Sequence, residues 1–442
     1  MPSRDNVHVL VARYLRDNGY NNTLDAFKEE LGLEDDMIPS DHSITLESII
    51  EQKRLFDLSQ DLDAVTLADN EEDKWHVPYP EFKSILPKQS PESNILFVSV
   101  ANLSIPTDDL SSDFARPCII STSADSSLRI FDFYTFELLK VYTHLHSSPI
   151  LTLLVLNEST LLTGGMDGRL VVSNPATGDV ITQLKDHMKY LVRIECSNDG
   201  KYVATAGYDK KVNAYSIENT GSDEPTFRFN KIGTISFPTS PEAIAFVPPE
   251  KETTIESTPP RLIVSRRDST FLYYYKLFPV LSEAARHNLN PDSNSWVSFC
   301  AMDIILEPMQ SKFLGVATST VPHMRFMMLQ SGVDTILKNV FTKAPQDAYS
   351  SARICWRPHG SGVWCNGDDG IIRGIELSTG NVAVELKYHE GKVKAMFAGI
   401  VDGREVLVTG ESGCAITTVD EYSADVLGGF DKTIAVWEIE KR

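Results

Sequence analysis

Thr163-Gly-Gly-Met-Asp167, followed by the apolar run Leu170-Val-Val172, is the stretch that decides the fold. Thr205-Ala-Gly-Tyr-Asp209 repeats it roughly 40 residues later, a blade-sized interval. Ser121-Thr-Ser-Ala-Asp125 precedes it by a similar interval, and Cys365-Asn-Gly-Asp-Asp369 is a degenerate copy. Each copy ends one short apolar run and leads into another: Leu128-Arg-Ile-Phe131, Val212-Asn-Ala-Tyr215, Ile371-Ile-Arg-Gly-Ile375. The last such run is Lys432-Thr-Ile-Ala-Val-Trp-Glu-Ile439. Strand, tight turn, strand at a fixed period implies a mainly β fold of stacked antiparallel sheets. It does not imply a catalytic scaffold around one cleft.

The 442 residues accommodate one large β domain with a small appendage. No run approaches the ~18 apolar residues that a membrane span needs, and Met-Pro-Ser-Arg-Asp5 lacks the layout of a secretory signal. The six cysteines (118, 196, 300, 355, 365 and 414) show no metal-ligand spacing and are sparse for a disulfide scaffold, which implies a reducing compartment, cytoplasmic or nuclear. A net charge of −20 argues against nucleic-acid binding as the main role. Residues 1–90 hold 19 acidic and 9 basic side chains. The acidity serves solubility, or it attracts a basic client such as a histone or ribosomal protein tail.

Val7, Leu10, Val11, Tyr14 and Leu15 share one helical face. Gly19 supplies a left-handed stop. Asn22 is a candidate cap for a second helix, with Asp25 in its first turn and Leu24, Phe27 and Leu31 along it up to Gly32. Two such short helices cannot bury this apolar surface alone, whereas two hairpins paired as a four-helix bundle can. Leu10, Tyr14-Leu15, Gly19-Tyr20, Thr23, Ala26-Phe27 and Glu30 resemble the lissencephaly-homology (LisH) motif, over residues 5–38. The resemblance implies homodimerisation, with Leu10, Tyr14, Leu15, Tyr20, Leu24 and Phe27 at the interface. A hairpin docked on its own β domain is the other reading. A further helix is expected over 43–62, with Leu46, Ile49, Ile50 and Phe56 on one side, and an acidic linker over 63–79.

From about residue 80 to 442 the chain resembles a WD-repeat (WD40) β-propeller. The better copies carry a His ahead of the pentad: His146 before Thr163, His187 before Thr205 and His389 before Thr409. In that family the His, the Ser or Thr, the turn Asp and an aromatic of the next strand form a buried hydrogen-bonded tetrad. The resemblance thus assigns Asp167, Asp209, Asp431 and Trp437 to it as well. The imidazole is expected to donate to both partners, and the Asp to accept from turn amides, filling a buried charge's acceptor sites. Thr205, His187 and Asp209 also mimic a hydrolase triad, but a geometry repeated in several blades is a fold device. His144 and His146 lack a third metal ligand. Seven blades fit the spacing: 92–136, 138–176, 180–220, 228–278, 293–332, 348–379 and 386–439. The charged stretches 248–260 and 284–294 read as insertions. Glu81-Phe-Lys-Ser-Ile-Leu86 is expected to supply the outer strand that the last blade lacks, because an open edge invites aggregation.

Blade seven is interrupted. Val408-Thr-Gly410 should run into Gly429-Phe-Asp431, yet residues 411–428 intervene. Codons for Gly410–Ser412 can spell a splice donor. Those for Ala424-Asp425 can spell a branch-like element, and those for Leu427-Gly428 an acceptor in matching phase. A translated, unspliced intron and an ordinary exposed turn insertion both fit.

The position before each turn Asp recurs as Ala124, Met166, Tyr208, Asp368 and Phe430. Met and aromatic side chains favour protein-binding hot spots, so these positions and Tyr190 are the candidate partner-binding ring; simple cover of the channel mouth is the other reading. The expected function is a non-enzymatic, dimeric scaffold or adaptor without cofactor or metal. The rivals are an acidic escort for a basic client and, more remotely, a propeller hydrolase.

Overall fold

The computed structural model describes residues 4–33, 46, 80–86, 93–106, 115–219, 227–248, 259–290, 299–309, 311–331, 335–411 and 432–438. The chain divides into a helical unit within residues 1–69, joined by 293–298, and a β unit formed by the rest.

In the helical unit, α1 spans Arg4–Asp17 and α2 spans Asn21–Leu31. Arg16 lies in the last turn of α1, where the helix dipole favours a cation. Gly19 and Gly32 take φ of +75° and +64° and end the two helices, as read from sequence. Two local expectations fail. Asn22 does not cap α2, and Asp25 lies beyond its first turn. The helix begins two residues sooner, with Tyr20 at its cap: Tyr20 N–H donates to Leu15 O, and the Tyr20 carbonyl receives Leu24 N–H. The core of the hairpin is small, with Ala12 and Leu24 buried and Leu15 and Phe27 packed half-buried against them. Leu10 and Tyr14 are half-buried, and Tyr20 is 53% exposed. Apart from Leu46, which is helical, the expected helix at 43–62 and the linker at 63–79 lie outside the described residues.

The β unit is seven four-stranded antiparallel sheets. They cover 95–142, 150–184, 191–236, 241–288, 301–345, 354–387 and 393–438, the last including a strand from the start of the unit. Inner strands follow one another around a ring: Ile95–Leu103, Ile150–Asn157, Leu191–Cys196, Pro241–Val247, Ala301–Leu306, Ile354–Trp356 and Val393–Val401. Each lies against the next, and the seventh lies against the first. Strand Glu81–Ile85 pairs with Ile434–Glu438 and completes the seventh sheet, the latch expected from sequence. Phe82 stacks on Tyr388 at 4.9 Å and meets Trp437 edge-on at 5.4 Å. The seam between blades seven and one is a continuous apolar core that includes Leu86, Ile95, Val98, Phe131, Val406, Val408 and Ile434. Ring closure therefore rests on side-chain packing as well as on backbone pairing.

The blade limits read from sequence are out of phase by one strand. Leu138–Tyr142, read as opening blade two, is the outer strand of blade one. The residues 284–294, read as an insertion, begin within outer strand Ser282–Asn288 of blade four. Its first five residues are exposed, so it carries no apolar alternation to betray it. The stretch 249–258 lies outside the described residues.

Candidate functional site

The turn that follows each middle strand organises one edge of every blade. In blade two, His146 Nδ1 lies 3.0 Å from Asp167 Oδ1, and its Nε2 lies 2.9 Å from Thr163 Oγ1. In blade three the corresponding distances are 3.0 Å to Asp209 and 2.9 Å to Thr205. Burial opposes charge on both aspartates. Hydrogen bonds from the imidazoles and from turn amides outweigh it and hold both carboxyls below the usual range. A ring that gives Nδ1–H to the carboxylate has one acceptor site left at Nε2, which faces the threonine hydroxyl; in blade three Asn213 Nδ2 also lies 3.1 Å from it. The strand position of Trp437 is filled by Ser173 in blade two and Tyr215 in blade three. The Tyr215 hydroxyl donates to Asp186 at 2.7 Å. Among the described residues blade seven brings three members together: Thr409 Oγ1 takes Trp437 Nε1–H at 3.2 Å and meets His389 Nε2 at 2.8 Å. Asp431 and Phe430 lie outside the described residues.

Thr205, His187 and Asp209 line up as a hydrolase triad would, but the Thr205 hydroxyl is fully buried and offers a substrate no approach. The identical arrangement in blade two, with Thr163 also at 0% exposure, is a packing device. Both ring nitrogens of His146 are taken, and His144 Nε2 bonds Gly178 O at 2.9 Å, so the pair does not converge on a metal. Burial pushes the Cys118 thiol up to about 11 and those of Cys196 and Cys365 to about 12, far from thiolate reactivity.

Sequence reasoning missed how blades without the His satisfy the same aspartate. Arg129 Nη2 lies 2.6 Å from Asp125, and Arg373 grips Asp369 at 3.1 and 2.6 Å. A buried guanidinium thus does the work of the imidazole, as a charge-assisted pair. The signal was present as Asp-x-x-x-Arg in both copies. Also missed were the polar side chains that tie one blade to the next. Thr122 Oγ1, Ser265 Oγ and Asn366 Nδ2 donate to the carbonyls of Ile150, Ala301 and Val393, each the first residue of the following inner strand.

The residues ahead of the turn aspartates occupy matching places. Ala124, Met166, Tyr208 and Arg267 give their N–H to Asn94, Pro149, Tyr190 and Ser240, which stand just before the inner strands of blades one to four. These positions therefore share one face of the propeller. On it the Tyr190 and Tyr208 rings lie 6.3 Å apart, and the Arg267 guanidinium stands 5.8 Å over Tyr208. Tyr190 is 45% and Met188 80% exposed. Glu242 pairs with Arg267 at 2.7 Å. Met166 is half-buried at the equivalent place in blade two. Asp368 is instead tied into a cluster, where Lys392 Nζ bridges it and Asp347 at 2.8 and 2.9 Å. Arg267 and Met188 were not singled out from sequence, because neither occupies an intact pentad.

Seven radially repeated four-stranded sheets, two of them with a buried Thr–His–Asp set, preceded by a helical hairpin, define a LisH-containing WD-repeat β-propeller protein. The family model described as "UCP007778, beta-propeller domain" matches residues 60–420, and "UCP007778, LisH domain" matches residues 5–33. The chain belongs to this family. No curated protein matches it significantly. Both domain types are generally protein-interaction modules, and the combination fits a scaffold or adaptor. Among the described residues no helix is long and apolar enough to cross a membrane.

Proposed function

We propose that this protein is a non-enzymatic adaptor that dimerises through its LisH hairpin and holds a protein partner on the turn-bearing face of the propeller. The observation that carries the reading is the exposed Met188–Tyr190 edge beside Tyr208 and Arg267. The two tyrosines there offer large contact area with little lost conformational freedom, and Met and Arg are enriched at protein interfaces. Met166 extends the candidate surface, and Asp368 marks its charged border. Dimerisation would make the adaptor bivalent and raise its apparent affinity wherever both faces engage.

The test is affinity capture from cell extract with the wild-type chain and with Tyr190→Ala/Met188→Ala. Loss of specific partners from the variant, with an unchanged melting temperature, is the expected result. Capture that survives the substitutions but disappears in high salt would replace this reading with that of an acidic escort.

A further inference from the structure

Blade seven has the strand pairing of blades one to three but not their turn length. Thr122 pairs with Leu128, Gly164 with Leu170 and Ala206 with Val212, each partner six residues on. The equivalent pair in blade seven is Gly410 and Ile434, twenty-four residues apart. The excess is eighteen residues, the length of 411–428. The far side of the turn nevertheless has the short-turn backbone. Ser126, Gly168 and Lys210, each two residues before the pairing position, take φ of +67°, +74° and +67°, and Lys432 takes +48°. Glu411 N–H bonds Thr433 O at 3.1 Å, just as Ser123 N–H bonds Ser127 O at 3.1 Å.

Glu411 itself stands where the His-bearing blades require glycine. Its partner across the sheet is Val393, as Ile150 is for Gly165 and Leu191 is for Gly207. A Cβ on Gly165 would come within 2.7 Å of His146 Nδ1, and one on Gly207 within 2.3 Å of His187 Nδ1. Of the blades that lack the tetrad His, one, four and five carry Ser123, Arg266 and Thr318 at this place, and blade six carries Gly367, where a Cβ would crowd Asp369 and Arg373. Blade seven keeps the His but carries a glutamate. The Glu411 side chain is fully buried, with its carboxylate 3.6 Å from His389 Nδ1. Neither carboxylate oxygen accepts a hydrogen bond among the described residues. The aspartates of blades two and three sit at 3.0 Å and collect turn amides as well.

We infer that residues 411–428 are an insertion foreign to the tight turn of blade seven, and that the chain without them carries the complete tetrad His389–Thr409–Asp431–Trp437. Joining Gly410 to Gly429 restores Thr-Gly-Gly-Phe-Asp. Glycine then returns to the crowded place, and Asp431 falls two residues after it, as Asp167 does after Gly165 and Asp209 after Gly207.

The test compares thermal melts of the full chain and of the chain deleted for 411–428, each with and without Asp431→Asn. The deletion is expected to raise Tm by about 3 °C or more, because a buried carboxylate without hydrogen bonds is removed and a tetrad is gained. Asp431→Asn should then lower Tm in the shortened chain by about 2 °C or more, and leave the full chain within about 1 °C. A shortened chain that melts at or below the full chain, or an Asp431→Asn effect equal in both, overturns the inference.

Discussion

Replacing His187 by alanine tests the claim that the tetrads are structural. The imidazole is 1% exposed and touches three polar partners: Asp209 at 3.0 Å, Thr205 at 2.9 Å and Asn213 at 3.1 Å. Its removal leaves Asp209 with backbone donors alone, from Met188 and Lys211. It also takes the acceptor from the Thr205 hydroxyl and opens a ring-sized void beside Leu191 and Gly207. Each buried polar group that loses its partner costs about 1–3 kcal/mol. Asp209 and Thr205 keep other contacts, so the low end applies to each, and the void adds a comparable amount. The sum is roughly 3–4 kcal/mol. For a domain of this size that lowers Tm by about 4–5 °C. His144→Ala is the control, since that exposed side chain makes one bond, to Gly178 O; it should cost under about 1 kcal/mol. Urea unfolding followed by tryptophan fluorescence and circular dichroism reads both variants. A His187→Ala loss no larger than that of His144→Ala refutes the structural role of the tetrad.

Removing residues 1–79 should leave the propeller's melting temperature within about 2 °C of its original value, whereas removal through Leu86 strips the latch strand and should lower it by at least about 8 °C, measured by scanning calorimetry. Equal melting of the two truncations would disprove the latch. Desolvation, followed by the like charge of Asp303, pushes Glu195 up to about 8, above its ordinary 4.5. The folded state therefore holds a proton that the unfolded state releases, and wild-type stability falls as pH rises from about 4.5 through 8. Glu195→Gln should match wild type at pH 4, gain on it from about pH 4.5 to about 8 and level off above that; a pH-independent difference would remove that account. Transcripts read across codons 410–429 should include a species joining Gly410 to Gly429, and uniform retention of the intervening codons would exclude an intron as the origin of residues 411–428.

The turn pentads were legible because a tight turn needs specific residues at specific places. Thr163, Asp167, Thr205 and Asp209 could be read with their histidines, and the latch at 81–86 followed from counting strands. What escaped was chemistry without a shared residue type. Arg129 and Arg373 do the work of histidine from another strand, and Asn213 joins a tetrad from a place otherwise filled by Val171 or Ala435. Outer strands such as Ser282–Asn288 escaped because solvent on their exposed side erases the apolar alternation. On the helical side, Gly19 and Gly32 were legible as stops, while the start of α2 depended on the backbone bond from Tyr20 to Leu15, which leaves no mark in the sequence. Of the residues proposed for the partner face, Tyr190 and Tyr208 meet, whereas Asp368 is drawn into its pair with Lys392.

A propeller that presents one face as a pair depends on association through α1 and α2, and the mass of the full chain in solution measures that association directly. Sedimentation equilibrium at micromolar concentration should give twice the 49.2 kDa chain mass, and Leu10→Asp with Phe27→Asp should return it to one. A wild-type chain that sediments at 49.2 kDa would contradict the account.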